Sequence, residues 1–466
     1  MSSVRLDGIK HIHLLGIGGA GMSGLALLFQ AMGYQVTGCD MSQGPYVKKV
    51  QATGTQVLQG HDPCHLDLVK ADLVAYSSAV SVDNPELVEA RRRGIPVLRR
   101  AELLSTLFNA REGIGVAGTH GKTTTTSMIS LIMEQAGLNP SVAIGGELRE
   151  LGTNAKLGMG SMMVAELDES DGTFLYFKPR AAVVTNVDWD HVDHYASFDQ
   201  VLDGFEQFLR GVADDGYAVL CGDDAGVQKL LPRLEGLTLY TCGLKDENQY
   251  QARDVVYTPG GGMGYTLFKE GRALGRIELA LSGQHFLQDS LCACVVALKQ
   301  GVTFDVVAAA LKDFQGAARR LQLKGEKNDV IVYDDYGHHP REVAATLSAL
   351  KQIAPHRPLR MIFQPHRFSR TQVFGEQFAQ VLSSVDHLYL LPIYPAAEKP
   401  IPGVTSEALA SRILELGGHC TLVEDLAHAL DCVRRDLKAG ELLITEGAGD
   451  VYRLGEAYLE DRDLAQ

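Results

Sequence analysis

The sequence predicts an α/β chain of three domains, each centred on a sheet of mainly parallel strands. Three observations carry that expectation. Short apolar runs alternate with glycine-rich or polar turns and then with helix-period segments, the rhythm of strand–helix–strand units. The rhythm restarts near residues 112 and 318. The 466 residues also exceed what a single core serves, at roughly 150 residues per domain. The expected domains are 1–111, 112–317 and 318–466.

Composition narrows the function. Lys and Arg total 43 against 57 Asp and Glu, a formal net charge of −14. That excludes a protein built to coat nucleic acid or an anionic membrane, which needs a basic face. Hydrophobic residues make up 45% and charged residues 21%, the balance of a chain that can bury cores. No apolar run reaches the roughly 18 residues of a membrane-spanning helix. The first residues lack the pattern of an export signal. The eight cysteines are scattered without a CxxC pair, so they are expected to be reduced thiols in a cytoplasmic protein.

In the first domain, His11–Gly16 reads as a strand, Gly21–Met32 as a helix and Gln35–Cys39 as a second strand. Further strands are expected at Leu73–Ser77 and Pro96–Leu98. Between the first strand and the helix lies Gly16-Ile-Gly18-Gly19-Ala20-Gly21, and Asp40 closes the second strand. Glycines here let the backbone approach a diphosphate, which then rests on the unpaired N–H groups of the helix start. Asp40 suits a ribose hydroxyl. The motif fits a nicotinamide cofactor and a nucleotide sugar equally.

The second domain opens with a strand at Gly113–Ala117 and the string Gly118-Thr119-His120-Gly121-Lys122-Thr123-Thr124, which enters a helix. Backbone N–H groups of such a turn cradle polyphosphate, Lys122 offsets its charge and the Thr123 hydroxyl can reach Mg²⁺. This is an ATP site, although Val116 replaces the first glycine of the strict motif. Strands at Ser161–Glu166 and Ala181–Asn186 each end in a polar cluster: Glu166-Leu-Asp168-Glu169-Ser-Asp171, and Asp188-Trp-Asp190-His191-Val-Asp193-His194. Parallel strands gather their C-terminal ends on one edge, so both clusters are expected to face the phosphate loop. Carboxylate oxygens suit Mg²⁺. Gly260–Gly262 reads as a surface loop, and Cys292 and Cys294 as core residues of an apolar helix.

In the third domain, strands are expected at Asp329–Asp334, Leu359–Phe363, His387–Leu391 and Leu442–Thr445. Two of them end in dense polar strings, Asp334-Asp-Tyr336-Gly-His338-His339-Pro340 and Gln364-Pro-His366-Arg367-Phe-Ser-Arg370. Pro340 suits a first helical position. Arg367 and Arg370 can hold a carboxylate or phosphate in bidentate fashion.

These strings, together with GIGGAGMSGLA, VVTNVDWDH and YPAAEKPIPG, resemble the Mur ligases along nearly the whole chain. The resemblance implies an N-terminal Rossmann-like domain, a central P-loop-type ATPase sheet and a C-terminal Rossmann-like domain. It implies an ADP-forming ligase that builds an amide bond in peptidoglycan precursor synthesis through an acyl phosphate. DDYGHHP and FQPHR point to the branch that joins UDP-N-acetylmuramate to L-alanine. By the match, Gly16, Gly18, Gly19, Ala20, Gly21, Met22, Asp40, His61 and Ser77 would hold the UDP-sugar. Residues 118–124, His285, Asp289 and Arg320 would hold ATP. Thr123 and Glu166 would bind one Mg²⁺ and His191 a second. Tyr336, His338, Arg367 and Arg370 would serve the muramoyl carboxyl and the amino acid, with Lys122, Arg320 and His338 catalytic and His338 the amine's proton acceptor. Where the family has GxHNxxNA, this chain reads Gly283-Gln-His285-Phe286-Leu-Gln-Asp289-Ser290, with no asparagine.

Overall fold

The computed structural model describes residues 6–192, 194–258, 261–396 and 398–464. Asp193 and Gly260 therefore lie outside the described residues. Three sheets form. The first contains β1 (His11–Leu15), β2 (Gln35–Asp40), β3 (Gln56–Gln59), β4 (Leu73–Tyr76) and β5 (Val97–Arg99), in the order β3-β2-β1-β4-β5. All its pairings are parallel. The strand order reverses between β1 and β4, so the glycine loop after β1 opens at the crevice where such sheets bind ligands.

The second sheet carries β6 (Glu112–Ala117), β7 (Ser141–Leu148), β8 (Thr153–Lys156), β9 (Met162–Glu166), β10 (Ala181–Val184), β11 (Tyr217–Cys221), β12 (Leu239–Gly243), β13 (Tyr250–Tyr257), β14 (Met263–Lys269) and β15 (Arg272–Leu279). Its order is β15-β14-β13-β12-β11-β10-β6-β9-β7-β8. β6 sits between β10 and β9, parallel to both. The third sheet joins β16 (Gln322–Lys327), β17 (Val330–Asp335), β18 (Leu359–Phe363), β19 (His387–Leu390), β20 (Cys420–Leu422) and β21 (Leu442–Glu446) in the order β16-β17-β21-β18-β19-β20. Only β16 runs antiparallel there.

The central strands match the sequence reading within a residue or two at most ends, because buried parallel strands are unbroken apolar runs. Ala181–Val184 is buried at every position. The peripheral strands lack that apolar signal. β15 is exposed over its first three residues and buries only Ile277 and Leu279, and β16 is the mostly polar QLKGEK. Their pairing comes from neighbours in space, not from an apolar run.

Two helices anchor the middle domain. Lys122–Gln135 is buried from Thr123 to Met133 although it begins with four threonines. Their burial is tolerated partly by hydroxyls turned back into the helix: Thr126 donates to the Lys122 carbonyl at 2.7 Å and Ser130 to that of Thr126 at 2.7 Å. It packs on Gln284–Lys299, where Phe286, Leu287, Leu291, Cys292 and Cys294 are all buried. Phe286, at a position where the family has asparagine, is 1% exposed and belongs to the core. Phe286→Ala should lower stability by about 3–5 kcal/mol, the cost of a large core truncation. Thermal or denaturant unfolding measures it, and a loss under about 1 kcal/mol would mean the ring is not a packing anchor.

Candidate functional site

The glycine loop of the first domain is wired to the end of β2. Gly16 donates its N–H to the Cys39 carbonyl at 2.9 Å, and Gly18 donates to Asp40 Oδ2 at 2.8 Å. Asp40 Oδ1 takes the Ser42 N–H and hydroxyl, both at 2.9 Å. The acid expected to meet a ribose thus also fastens the loop. A Cβ on Gly21 would come within 2.8 Å of the Arg100 guanidinium, so glycine there admits a cation to the loop. Arg100, an ordinary helix residue in the sequence, places its guanidinium beside this glycine loop. It also lines a cleft of about 200 Å³ with Tyr76, Ser78, Arg99 and Asp168. Ser77 packs against Gly16. Ala20 gives its carbonyl to Asn154 of the middle domain. Met22 is 1% exposed and its side chain lies in the core, so that side chain is not open to a ligand. His61 turns Nδ1 toward Cys39 Sγ at 3.2 Å.

The middle domain brings three strand ends together. The phosphate loop leaves β6, Glu166 ends β9 and His191 follows β10, on the two flanking strands. Gly121 holds φ at +82°, a left-handed backbone that sets the helix start, and a Cβ there would strike Asp289 Oδ1 at 2.4 Å. Lys122 Nζ lies 2.8 Å from Glu169 Oε2 and also donates to the carbonyls of Gly118 (2.7 Å) and Thr119 (3.2 Å). Burial opposes its charge, but Glu169, Asp168 and Glu166 outweigh burial and hold the ammonium protonated. Thr123 Oγ1 donates to Glu166 Oε2 at 3.0 Å, and the Gly145 N–H donates to the same oxygen at 2.8 Å. His191 Nε2 stands 3.2 Å from Glu169 Oε1. Glu169, quoted in the sequence string but given no role, is the carboxylate that both Lys122 and His191 meet. Asn186, also missed, clamps the backbone of His120 with both amide atoms, at 2.8 and 2.9 Å.

The third domain closes over this edge. Arg370 is buried and forms a bidentate pair with Asp190 at 3.1–3.2 Å. The carboxylate it holds here belongs to the chain itself. Burial disfavours the Asp190 charge, but Arg370 and nearby histidines drive its carboxyl far below the usual range. Glu342, unremarked in the sequence, caps the helix Pro340–Ile353 by accepting the N–H groups of His338 (2.9 Å) and His339 (3.2 Å). Its other oxygen lies 3.3 Å from His120 Nδ1 and 3.4 Å from Arg320. Against the pull of burial, Glu342 and Asp188 raise His120 to about 9, so the imidazole is cationic at neutral pH. Arg319 and Arg320 lie over Tyr336 at 5.0 and 5.2 Å. His338 Nδ1 donates to the Tyr336 carbonyl at 3.1 Å, which leaves Nε2 as the acceptor. Burial lowers His338 to about 3, so it is neutral but weakly basic before substrates arrive. Arg367 sits at φ +72° at the start of Phe368–Leu382, 3.9 Å from Glu398.

His285 and Asp289 flank the phosphate loop from the helix Gln284–Lys299. His285 is half-buried and lowered to about 4 by burial and by Arg320. Asp289 packs beneath Gly121, and its Oδ2 has no hydrogen-bond partner among the described residues. Burial raises it to about 8, so it is a neutral acid at pH 7. An unfolded aspartate loses its proton near 3.8, and this one keeps it to about 8. Within that window the folded chain binds the extra proton, so stability falls as pH rises. Asp289→Asn should remove this slope and stabilise the chain at pH 8 by at least about 1 kcal/mol, since a tenfold shift in protonation is worth about 1.4 kcal/mol. Thermal unfolding across that window decides. An equal effect at both ends would mean Asp289 is not the titrating group.

Residues 11–112 match the model described as Mur ligase family, catalytic domain. Residues 116–297 match the Mur ligase middle domain, and residues 319–449 match Mur ligase, glutamate ligase domain. The chain is 44% identical over 453 residues to a UDP-N-acetylmuramate–L-alanine ligase of Desulfatibacillum aliphaticivorans, covering 97% of this chain and 98% of the relative. It is 42% identical to the same-named protein of Aquifex aeolicus, covering 98% of each. Its fold matches the UDP-N-acetylmuramate-alanine ligase of Thermotoga maritima with a TM-score of 0.83 at 26% identity, over 97% and 98% of the two chains. A murein peptide ligase of Psychrobacter arcticus matches with a TM-score of 0.73 at 25% identity, over the same shares. With three matched domains in order and relatives above 40% identity along the full length, the chain belongs to the Mur ligase family.

Proposed function

We propose that the chain joins L-alanine to the carboxyl of UDP-N-acetylmuramate, with ATP cleaved to ADP and phosphate, in peptidoglycan precursor synthesis. The observation that carries this is the meeting of Lys122, Thr123, Glu166, Glu169 and His191 at one edge of the middle sheet. Relatives above 40% identity over nearly the whole chain support the choice of substrates. The domain limits are assigned as 1–111 for the UDP-sugar, 112–317 for ATP and 318–466 for amino-acid and further ATP contacts. Among the described residues no helix is long and apolar enough to cross a membrane. We place the reaction in the cytoplasm, where thiols stay reduced.

A carboxylate is a poor acyl donor. One muramoyl carboxylate oxygen attacks the γ-phosphorus of ATP, the bond to the β-phosphate oxygen breaks, and ADP leaves. The alanine amine then attacks the carbonyl carbon of the acyl phosphate, phosphate departs with the C–O bonding pair, and a base takes the amine proton. Such transfers depend on positioning and on charge placed where it develops. Lys122, released from Glu169 by the incoming triphosphate, would contact its terminal phosphates. The loop N–H groups would hold the inner ones. Arg320, paired with Glu342 in the third domain, would face the transferred group. His338, with its lone pair on Nε2, would receive the amine proton once a carboxylate substrate raises its basicity.

The site fits Mg²⁺. The Thr123 hydroxyl and Glu166 give hard oxygen donors 3.0 Å apart, and Gly145 leaves room beside Glu166, where a Cβ would fall 2.7 Å from Oε1. His191 and Glu169 would hold a second ion. When bound, the cations offset the repulsion between carboxylate and triphosphate.

The test is phosphate release with each component omitted in turn. Turnover should require UDP-N-acetylmuramate, L-alanine, Mg²⁺ and ATP together. No release from folded protein with all four present would refute the reading, and equal turnover with a tripeptide would move the chain to a recycling role. Lys122→Ala should lower kcat by about 100-fold or more, the scale of removing a charge-stabilising group. It should leave UDP-sugar binding intact by calorimetry, because that site lies in the first domain. Loss of both together would contradict the domain assignment.

A further inference from the structure

We infer that the first domain carries a binding site for a zinc-type divalent transition metal, apart from the catalytic edge. The site is built from His13, Cys39, Glu86 and His61. Four separate elements supply them: β1, β2, the loop after β3 and the helix Pro85–Arg92. Cys39 Sγ lies 3.0 Å from Glu86 Oε2 and 3.2 Å from His61 Nδ1. Glu86 Oε2 lies 3.7 Å from His13 Nε2 and 3.9 Å from His61 Nδ1. The ligand atoms of His13, Cys39 and Glu86 all fall within 4.8 Å of one another. Bonds of about 2.0–2.3 Å to a tetrahedral ion place neighbouring ligand atoms about 3.3–3.8 Å apart, so His13, Cys39 and Glu86 need only small shifts to close on one centre, and His61, near Cys39 and Glu86 but outside that mutual set, must swing inward to become the fourth ligand.

The surroundings orient the donors. His13 is fully buried, and its Nδ1 lies 2.8 Å from the Thr37 hydroxyl, which also bonds His11 Nε2 at 2.9 Å. When His13 carries its proton on Nδ1, toward Thr37, its Nε2 lone pair faces Cys39 and Glu86 and is free for an ion. That nitrogen is buried and has no hydrogen-bond partner among the described residues. A buried unpaired nitrogen is costly, and metal ligation removes the cost. Glu86 is also fully buried; its Oε1 is held by His65 Nδ1 and by the Asp62 N–H at 3.2 Å, which leaves Oε2 for the centre. An imidazole or carboxylate fixed through its other atom is how metal ligands are commonly oriented. His61 alone is partly exposed, on the side from which an ion would enter.

The charges balance. Two neutral imidazoles, one thiolate and one carboxylate cancel a divalent cation, whereas they do not suit Mg²⁺, which prefers six oxygens. Binding moves the Cys39 thiol proton to solvent and replaces its hydrogen bond to Glu86 with bonds to the metal. His61, expected from sequence to meet the nucleotide sugar, becomes a metal ligand in this reading. The Cys39 carbonyl holds Gly16 and Ile17 of the diphosphate loop at 2.9 and 3.2 Å, so the ion would stiffen the floor of that loop.

The test adds Co²⁺ to the metal-stripped full-length chain in excess Mg²⁺, which occupies the oxygen-rich catalytic edge. One equivalent should produce a thiolate-to-cobalt charge-transfer band, strong four-coordinate bands in the visible, and release of one proton. Zinc should erase them by displacement. Cys39→Ser should abolish the charge-transfer band, while Cys64→Ser, a nearby exposed thiol, should keep it. X-ray absorption of the zinc-loaded unsubstituted chain should show one sulfur among nitrogen and oxygen neighbours, a readout that does not depend on how the Cys39 variant folds. A cobalt spectrum without charge transfer, a band that survives in Cys39→Ser, or an absorption shell lacking sulfur would each overturn the inference.

Discussion

The structure depends on one largely enclosed ion cluster, Lys122 and His191 around the buried Glu169. An ammonium this enclosed costs several kcal/mol to desolvate unless a partner offsets it. Glu169 supplies that partner at 2.8 Å and fixes the lysine above the phosphate loop. The fold follows from the need to keep the group both charged and reachable. β6 must lie between β9 and β10, so that Lys122 begins a helix where Glu166, Glu169 and His191 end or follow the flanking strands.

The same economy governs the domain junction. Asp190 and Arg370 are both buried, on different domains, and either alone would be a stranded charge. His120 and Glu342 repeat the pattern, and Arg341 adds bridges to Asp188 and Asp224 at 3.0 Å each. The third domain therefore closes on the second through ion pairs. Such pairs fix the register between the two domains.

Much of the site was legible because its residues lie in strings. Gly118–Thr124 names a phosphate loop by spacing alone, since a tight turn, a lysine and a hydroxyl must come in that order. Glu166 and His191 could be placed because parallel strands end on one edge. Arg100, Glu342 and Asn186 were not legible. Each is an ordinary helix or loop residue whose partner is distant in sequence: Gly21, His120 and the loop backbone respectively. Asp289 was recognised as a departure from family pattern, but its burial under Gly121 depends on how two helices pack.

By itself the sequence determined the three-sheet α/β plan, the two glycine loops and the identity of the acids and cations at the strand ends. Periodicity and turn chemistry are local, so they are written in the order of residues. Only the tertiary structure decided which charges neutralise one another, that Arg370 meets Asp190, that β12–β15 extend the middle sheet, and that His13, Cys39, Glu86 and His61 converge. Those outcomes depend on distances between segments far apart in the chain, and burial then sets which protons stay on.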